Sequence, residues 1–323
     1  MSTERIDLDA RIPEEMSGQR LDAALARVFP DYSRSRIRQW IDAGRVQVAG
    51  QVRRPRDRVT GGEAVVIRAV LETAAQDPAE DLPLDIVHED AALLVVHKPP
   101  GLVVHPAAGH PSGTLLNALL HHAPEVGALP RAGLVHRLDK DTSGLLVVAR
   151  TLEAHTELVR QLQARTMGRE YLALVQGELV AGGRIEAPVG RHPVDRKRMA
   201  VVPGGRFAVT HYRVEARLNG FTLLRVRLET GRTHQIRVHM AHLRHPIVGD
   251  PVYGGRMRPP PGLGEEALAA LQGFHRQALH AARLSLEHPL SGERVSWEVP
   301  LPGDMAGLLT ALGEGLPNPA HGG

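Results

Sequence analysis

Leu134-Val-His-Arg-Leu-Asp-Lys-Asp-Thr-Ser-Gly-Leu-Leu-Val-Val-Ala-Arg150 is the stretch on which the reading of this chain turns. Five charged or titratable residues crowd into positions 136–141, and apolar residues lie on both sides. Leu145–Ala149 is a short, valine-rich apolar run, the pattern of a buried strand. Thr142-Ser143-Gly144 supplies turn chemistry before it. Asp139 therefore falls on a short loop held by a core strand, a common seat for reactive groups. Taken singly, Asp139 or Asp141 would more often only close the turn, so the rest of the chain has to decide.

The chain has 323 residues, room for one large domain and a small one, and its 42% hydrophobic content supports a substantial core. It contains no cysteine, which excludes disulfides, thiolate nucleophiles and cysteine-based zinc sites and is compatible with a reducing cytoplasm. The opening Met1-Ser-Thr-Glu-Arg-Ile-Asp7 lacks the apolar core of a signal peptide. No apolar run approaches the roughly 18 residues that span a bilayer. A cytoplasmic protein without a membrane partner is expected. The formal net charge is only +3, but Lys98, Lys140 and Lys197 are the only lysines. Almost all the positive charge is arginine, which suits phosphate forks and stacking on bases.

The distribution of that charge is more informative than its sum. Residues 1–16 read as an N-terminal extension and 17–70 as a distinct small unit. Leu21, Ala24, Leu25 and Val28 make one helical stripe, Ser33 is placed to cap a second helix over Arg34–Ala43, and Gly44 ends it. Short strands are expected at Arg45–Val48, Val52 and Ala64–Arg68. Eight arginines, Arg34, Arg36, Arg38, Arg45, Arg53, Arg54, Arg56 and Arg58, face only two aspartates in the same block. That is the electrostatic footprint of a nucleic-acid partner. Residues 71–83 then reverse the sign and read as an acidic linker that lets the small unit move.

From Leu84 to about residue 312 a second domain is expected, with 313–323 as a tail. Ile86–Val87 and Leu93–Val96 look like strands. Lys98-Pro-Pro-Gly-Leu-Val-Val-His105 reads as a tight bend leading into another strand. Leu115–His121 and Leu152–Thr166 look helical, and Arg169–Gly177 is a strand. Residues 184–198 read as a polar connection. Phe207–Leu218 and Thr222–Glu229 alternate as a hairpin around Asn219-Gly220. Thr230–Thr233 turns into a helix carrying His234, Gln235, Arg237, His239 and His242; one more helix, two strands and a short final helix follow. Strands far outnumber βαβ units, so the expected fold class is α+β, with a mixed, largely antiparallel sheet flanked by helices and loops.

Three constellations carry chemistry: the Asp139 loop, Tyr171, and Gly231-Arg-Thr-His-Gln-Ile-Arg-Val-His239. Residues three or four apart share a helix face, so His234 and Arg237 can point the same way. A cationic fork facing a carboxylate would hold Asp139 ionised and oriented. Tyr171 alone would more often be a core tyrosine and Arg237 a surface ion pair. His239, His242 and His245 invite a metal, but no His-Glu-x-x-His and no carboxylate at ligand spacing accompanies them. Neither glycine pair, Gly182-Gly183 nor Gly204-Gly205, sits in a phosphate-loop pattern.

The string His-Arg-Leu-Asp-Lys-Asp-Thr-Ser-Gly before an apolar strand resembles the signature of the RNA pseudouridine synthases. Three further blocks extend the likeness: Arg169-Glu-Tyr-Leu-Ala-Leu-Val-Gln-Gly177, Glu229-Thr-Gly-Arg-Thr-His-Gln-Ile-Arg-Val-His239 and His245-Pro-Ile-Val-Gly-Asp-Pro-Val-Tyr-Gly-Gly255. Ser33-Arg-Ser-Arg-Ile-Arg38 with Gly44-Arg-Val-Gln-Val48 resembles an S4 RNA-binding module. The resemblance implies Asp139 as the catalytic aspartate, Tyr171 against the target uracil, and Arg237 paired with the carboxylate. It implies Arg137 filling the gap left by an extruded uridine and Ile236 packing on the base. Arg34, Arg36, Arg38, Arg45, Arg53 and Arg54 would meet RNA, most simply 23S rRNA or an assembling large ribosomal subunit. It implies no cofactor, no metal and no obligate protein partner. Three other readings stay beside it: the same chemistry on another rRNA or tRNA site, a catalytically silent RNA-binding assembly factor, and a histidine-based metal hydrolase.

Overall fold

A computed structural model of the chain describes residues 3–30, 32, 34–72, 77–107, 109–257 and 259–313. Two compact units divide it at Gln76/Asp77. The first holds β1 (Thr3–Arg11), α1 (Leu21–Val28), α2 (Arg34–Asp42), β2 (Val46–Val48) and β3 (Ala64–Glu72), with strand order β1-β3-β2. Leu21, Ala24 and Leu25 from α1 and Ile37, Trp40 and Ile41 from α2 bury against Val46, Val48, Val65 and Ile67. The stripe read from the sequence is therefore the core face. Ser33, the expected cap of α2, lies outside the described residues.

Residues 1–16 were expected as an extension, yet β1 pairs antiparallel with β3 from Thr3↔Glu72 to Arg11↔Ala64. The alternation Arg5-Ile-Asp-Leu-Asp9 is a strand pattern, and Ile12 and Met16 enter the core. Val52 is exposed and in no strand. The expected linker is also divided. β3 runs to Glu72, residues 73–76 lie outside the described residues, and residues 78–80 dock on the second unit. There Asn117 Nδ2 donates to Pro78 O at 2.7 Å and Glu80 N donates to Asn117 O at 3.0 Å.

The second unit opens with β4 (Ile86–Glu89), β5 (Leu93–Lys98), α3 (Leu115–His122), β6 (Ser143–Ala149), α4 (Leu152–Ala164) and β7 (Gly168–Gln176). It continues with β8 (Gly183–Glu186), β9 (Val189–Arg191), β10 (Met199–Val201), β11 (Val209–Leu218), β12 (Phe221–Leu228) and α5 (Gln235–His242). The last elements are α6 (Glu265–Gly273), β13 (Leu279–Glu287), β14 (Arg294–Glu298) and α7 (Gly303–Leu312). One nine-stranded sheet runs β4-β5-β6-β13-β7-β12-β11-β8, with β14 paired to residues 283–287 of β13 beyond its short contact with β6. Among the described residues only the β6–β13 pairing is parallel. The fold class is α+β with a mixed, largely antiparallel sheet, as the excess of strands over βαβ units implied.

Every residue of β6 is buried, because both faces of the sheet are covered. Leu146 and Val148 join the larger core, while Leu145, Val147 and Ala149 meet Ala154 and Leu158 of α4. Asn219 and Gly220 both have positive φ, 45° and 84°, as a type I′ hairpin needs. Two expectations fail. Residues 102–105 form no strand: the Val103 and Val104 carbonyls accept from Leu115 and Leu116 N–H at the start of α3, so they are unavailable to a ladder. Residues 184–198 are not a bare connection but carry β9, which pairs with β10.

Candidate active site

Three strands of the one sheet, β6, β7 and β12, deliver the site, with β13 between β6 and β7. Asp139 precedes β6, Tyr171 lies on β7, and α5 follows β12. The Asp139 loop is fixed from below by its own carbonyls. Lys98, fully buried, donates to Lys140 O at 2.8 Å, Leu102 O at 2.9 Å and Pro99 O at 2.7 Å. Burial pushes Lys98 down to about 7, against the pull of Asp141 and Asp139; three carbonyl acceptors nonetheless match the three N–H of an ammonium. Arg276 donates to Asp141 O at 3.1 Å, and Thr142 N closes on Asp139 O at 3.1 Å. Gly144, at φ +115°, sits where a Cβ would overlap the Ala281 carbonyl of β13. Only glycine lets β6 start so close to β13 directly after the loop.

Asp139 faces Arg237. Arg237 Nη1 donates to Asp139 Oδ2 at 2.9 Å, while Nε and Nη2 form a fork on Asp250 at 2.6 and 2.8 Å. Burial works against the Arg237 charge, but hydrogen bonds and attraction from Asp250 and Asp139 outweigh it and raise its pKa. Burial likewise opposes the Asp250 charge, yet Arg237 and the Val252 and Tyr253 amides hold its carboxyl below the usual range. Asp250 so fixes the guanidinium, and the guanidinium fixes one oxygen of Asp139 and leaves the other toward the cleft.

His234 stands beside this pair, in the left-handed region (φ 57°, ψ 21°) just before α5 rather than inside it. Its Nε2 is 3.8 Å from Asp139 Oδ1. Tyr253 Oη accepts from Met199 N at 2.9 Å and lies 2.8 Å from His234 Nδ1. If the hydroxyl proton went elsewhere it would be buried without a partner, so Tyr253 donates to Nδ1. Burial lowers the His234 pKa despite Asp139. The ring is then neutral, with its one proton on Nε2, directed at the aspartate.

Asp139, Tyr171, Ile236, Arg237 and Arg137 all line one cleft of about 640 Å³, a volume that suits a nucleotide. Tyr171 is buried, and burial raises its pKa, with Arg169 opposing and Asp139 adding. Its hydroxyl therefore keeps its proton. Ile236 is 4% exposed and Arg137 is exposed. Seven arginines and two carboxylates line the cleft, so its walls are strongly basic.

A family described as RNA pseudouridylate synthase matches residues 92–242, and the S4 domain matches residues 19–65. The ribosomal large subunit pseudouridine synthase D of Pseudomonas aeruginosa is 56% identical over 310 residues, 96% of this chain and 97% of its own length. The proteins of the same name from Shigella flexneri and Yersinia pestis are 55% and 54% identical, each covering 96% of this chain and 95% of theirs. The chain belongs to the RNA pseudouridylate synthase family. Among solved structures of such synthases, human RNA pseudouridylate synthase domain containing 1 aligns at TM-score 0.53 and 28% identity, over 70% of this chain and 86% of its own. Domain containing 4 aligns at 0.55 and 26%, over 70% and 92%.

The cleft of this pseudouridylate synthase thus gathers all five site residues named from its catalytic domain. Sequence reasoning gave no role to Asp250, Tyr253 and Lys98. Asp250 and Tyr253 stand in the quoted block His245–Gly255, and an Asp followed by Pro is a turn signal, but nothing local says that the turn carries an arginine clamp. In the S4 unit, Arg38, Arg45 and Arg54 are exposed, while Arg36 is half-buried. Arg34 joins Arg20 on the buried Asp22 (Arg34 at 2.9 Å), and Arg53 holds Glu63 at 2.6 Å. His239 is a core histidine: its Nδ1 meets Thr210 Oγ1 at 2.8 Å and its Nε2 meets Ala187 O at 3.0 Å. His245 Nδ1 meets Gln176 O at 2.8 Å. Among the described residues no group of three metal-ligating side chains converges.

Proposed function

We propose that this RNA pseudouridine synthase acts on large-subunit ribosomal RNA in the cytoplasm, with Asp139 as its catalytic carboxylate. The observation that carries the assignment is the clamp Asp250–Arg237–Asp139 inside a basic cleft large enough for one nucleotide. The rRNA substrate is supported by relatives named as large-subunit synthases over nearly the whole chain. Among the described residues no helix is long and apolar enough to cross a membrane.

The target uridine leaves its stack, which costs a few kcal/mol, and Arg137 enters the gap. Among the described residues the Arg137 guanidinium has no hydrogen bond or ion pair, so nothing has to be broken to place it there. Cleavage of N1–C1′ builds positive charge on the sugar, and the Asp139 carboxylate meets it. The detached uracil, held between Tyr171 and Ile236, turns over. Its C5 bonds to C1′, the C5 proton leaves, and N1 takes up a proton. The product is an isomer, so no co-reactant is consumed. Arg38, Arg45 and Arg54 of the S4 unit add phosphate contacts that position the RNA.

The test is release of tritium from rRNA labelled at uracil C5. The wild-type protein releases it. Asp139→Asn is expected to lose roughly 10⁴-fold or more in turnover, as nucleophile knockouts do, while RNA affinity and the unfolding midpoint stay close to wild type. Substantial release by the variant would remove Asp139 from its role. Mapping pseudouridines in large-subunit rRNA from cells with and without the protein tests the substrate.

A further inference from the structure

Among the described residues, one buried cation of the cleft has no anion. Arg169 lies on β7, two residues before Tyr171 and on the same face, and it is 8% exposed. Its Nε is buried without a hydrogen-bond partner, and among the described residues no ion pair or hydrogen bond reaches its guanidinium. The contrast with Arg237 is sharp, since three carboxylate hydrogen bonds meet that guanidinium. A buried, unpaired cation is costly. Folds keep one where a ligand supplies the missing charge.

The surroundings favour an anion and exclude a structural partner. Gly231, on the loop after β12, has no side chain where a Cβ would come within 2.8 Å of Arg169 Nη1. That loop therefore leaves room for the guanidinium at the cleft wall. Arg206 and Arg232 line the same cleft. Arg232 Nε is turned onto Phe207 O at 3.0 Å, and burial together with Arg206 and Arg165 lowers its pKa. Like charges crowd the cleft around an arginine with free donors. Glu229, the cleft's other carboxylate, is taken by Arg165 at 3.2 Å and His211 at 2.6 Å.

We propose that Arg169 binds a phosphodiester flanking the extruded uridine, forking onto its non-bridging oxygens so that the nucleotide is seated before its glycosidic bond breaks. This deepens the assignment of an RNA substrate and rests on it. A guanidinium fork matches phosphate geometry better than an ammonium does.

The test uses an rRNA hairpin that the wild-type protein converts, and versions in which one phosphate on either side of the target is a neutral methylphosphonate. Arg169→Gln is expected to weaken binding of the natural hairpin about tenfold and to lower the salt slope of binding by about one unit, the loss of one phosphate contact. Against the hairpin neutralised at the matching phosphate, Arg169→Gln and wild type should bind within twofold of each other. Arg169→Lys should recover part of the lost affinity. Equal losses with every hairpin, or no loss with any, would overturn the phosphate assignment while leaving turnover by the wild-type protein intact. Failure of the wild-type protein to convert any rRNA would bring down the substrate reading and this inference with it.

Discussion

At the scale of single residues, the site depends on charges that hold one another. Asp250 has no direct role in the reaction, but removing its charge leaves the Arg237 fork without its anchor. Asp250→Asn is expected to cost about 3–5 kcal/mol of stability, the usual penalty for breaking a buried pair. Turnover should fall with it because Asp139 loses its orientation. Urea midpoints and tritium release, measured together, check both. A second residue sets a pH limit. His280 is fully buried, its Nδ1 meeting Ser143 Oγ at 2.9 Å, and burial pushes it down to about 4. An unfolded histidine titrates near 6.5, so below that pH the unfolded chain takes up the proton first. The stability that neutral His280 contributes is present above about 6.5 and is lost as the pH falls toward 4. Each pH unit in that window weakens the fold by up to about 1.4 kcal/mol for this group. His280→Gln should show a shallower fall in urea midpoint between pH 6.5 and pH 4.5 than wild type. Parallel curves would assign the acid limb to other groups.

At the scale of elements, the critical contact is the start of β6 against β13. The parallel pairing covers only Ser143↔His280 and Ala281↔Gly144, directly after the Asp139 loop. Gly144→Ala would put a methyl group into the Ala281 carbonyl and force a non-glycine residue to φ +115°. A loss of at least about 2 kcal/mol is expected, from backbone strain and steric overlap together. Because the overlap lies at the base of the loop, kcat should drop even at temperatures where the variant stays folded. A variant as stable and active as wild type would show that β6 can slide away from β13. The same element scale explains one misread segment. Residues 102–105 are apolar enough for a strand, but their carbonyls serve Lys98 and the first turn of α3. Periodicity describes side chains and is silent about where backbone groups find partners.

At the scale of the whole molecule, the two units have separate cores and separate tasks. A protein reduced to residues 77–323 keeps every residue of the clamp and the cleft. It is expected to retain turnover on rRNA at low salt, with weaker binding and a salt slope smaller by about two to three units, the loss of the phosphate contacts of Arg38, Arg45 and Arg54. Filter binding between about 50 and 200 mM salt checks this, and an unchanged slope would make the arginine block ordinary surface. Much of this organisation was legible in the chain itself. The strand after Asp139, the stripe of α1, the Asn219-Gly220 hairpin and the excess of strands follow from local periodicity and turn chemistry, which neighbouring residues impose on one another. The tertiary structure alone decided the rest. It joined β1 to a sheet from across the first unit, set Asp250 behind Arg237, gave His234 its tautomer through Tyr253, and left Arg169 without a counter-charge. Those facts depend on which distant groups share a buried space, and the energy of a buried charge is set by its spatial neighbours, not by its place along the sequence.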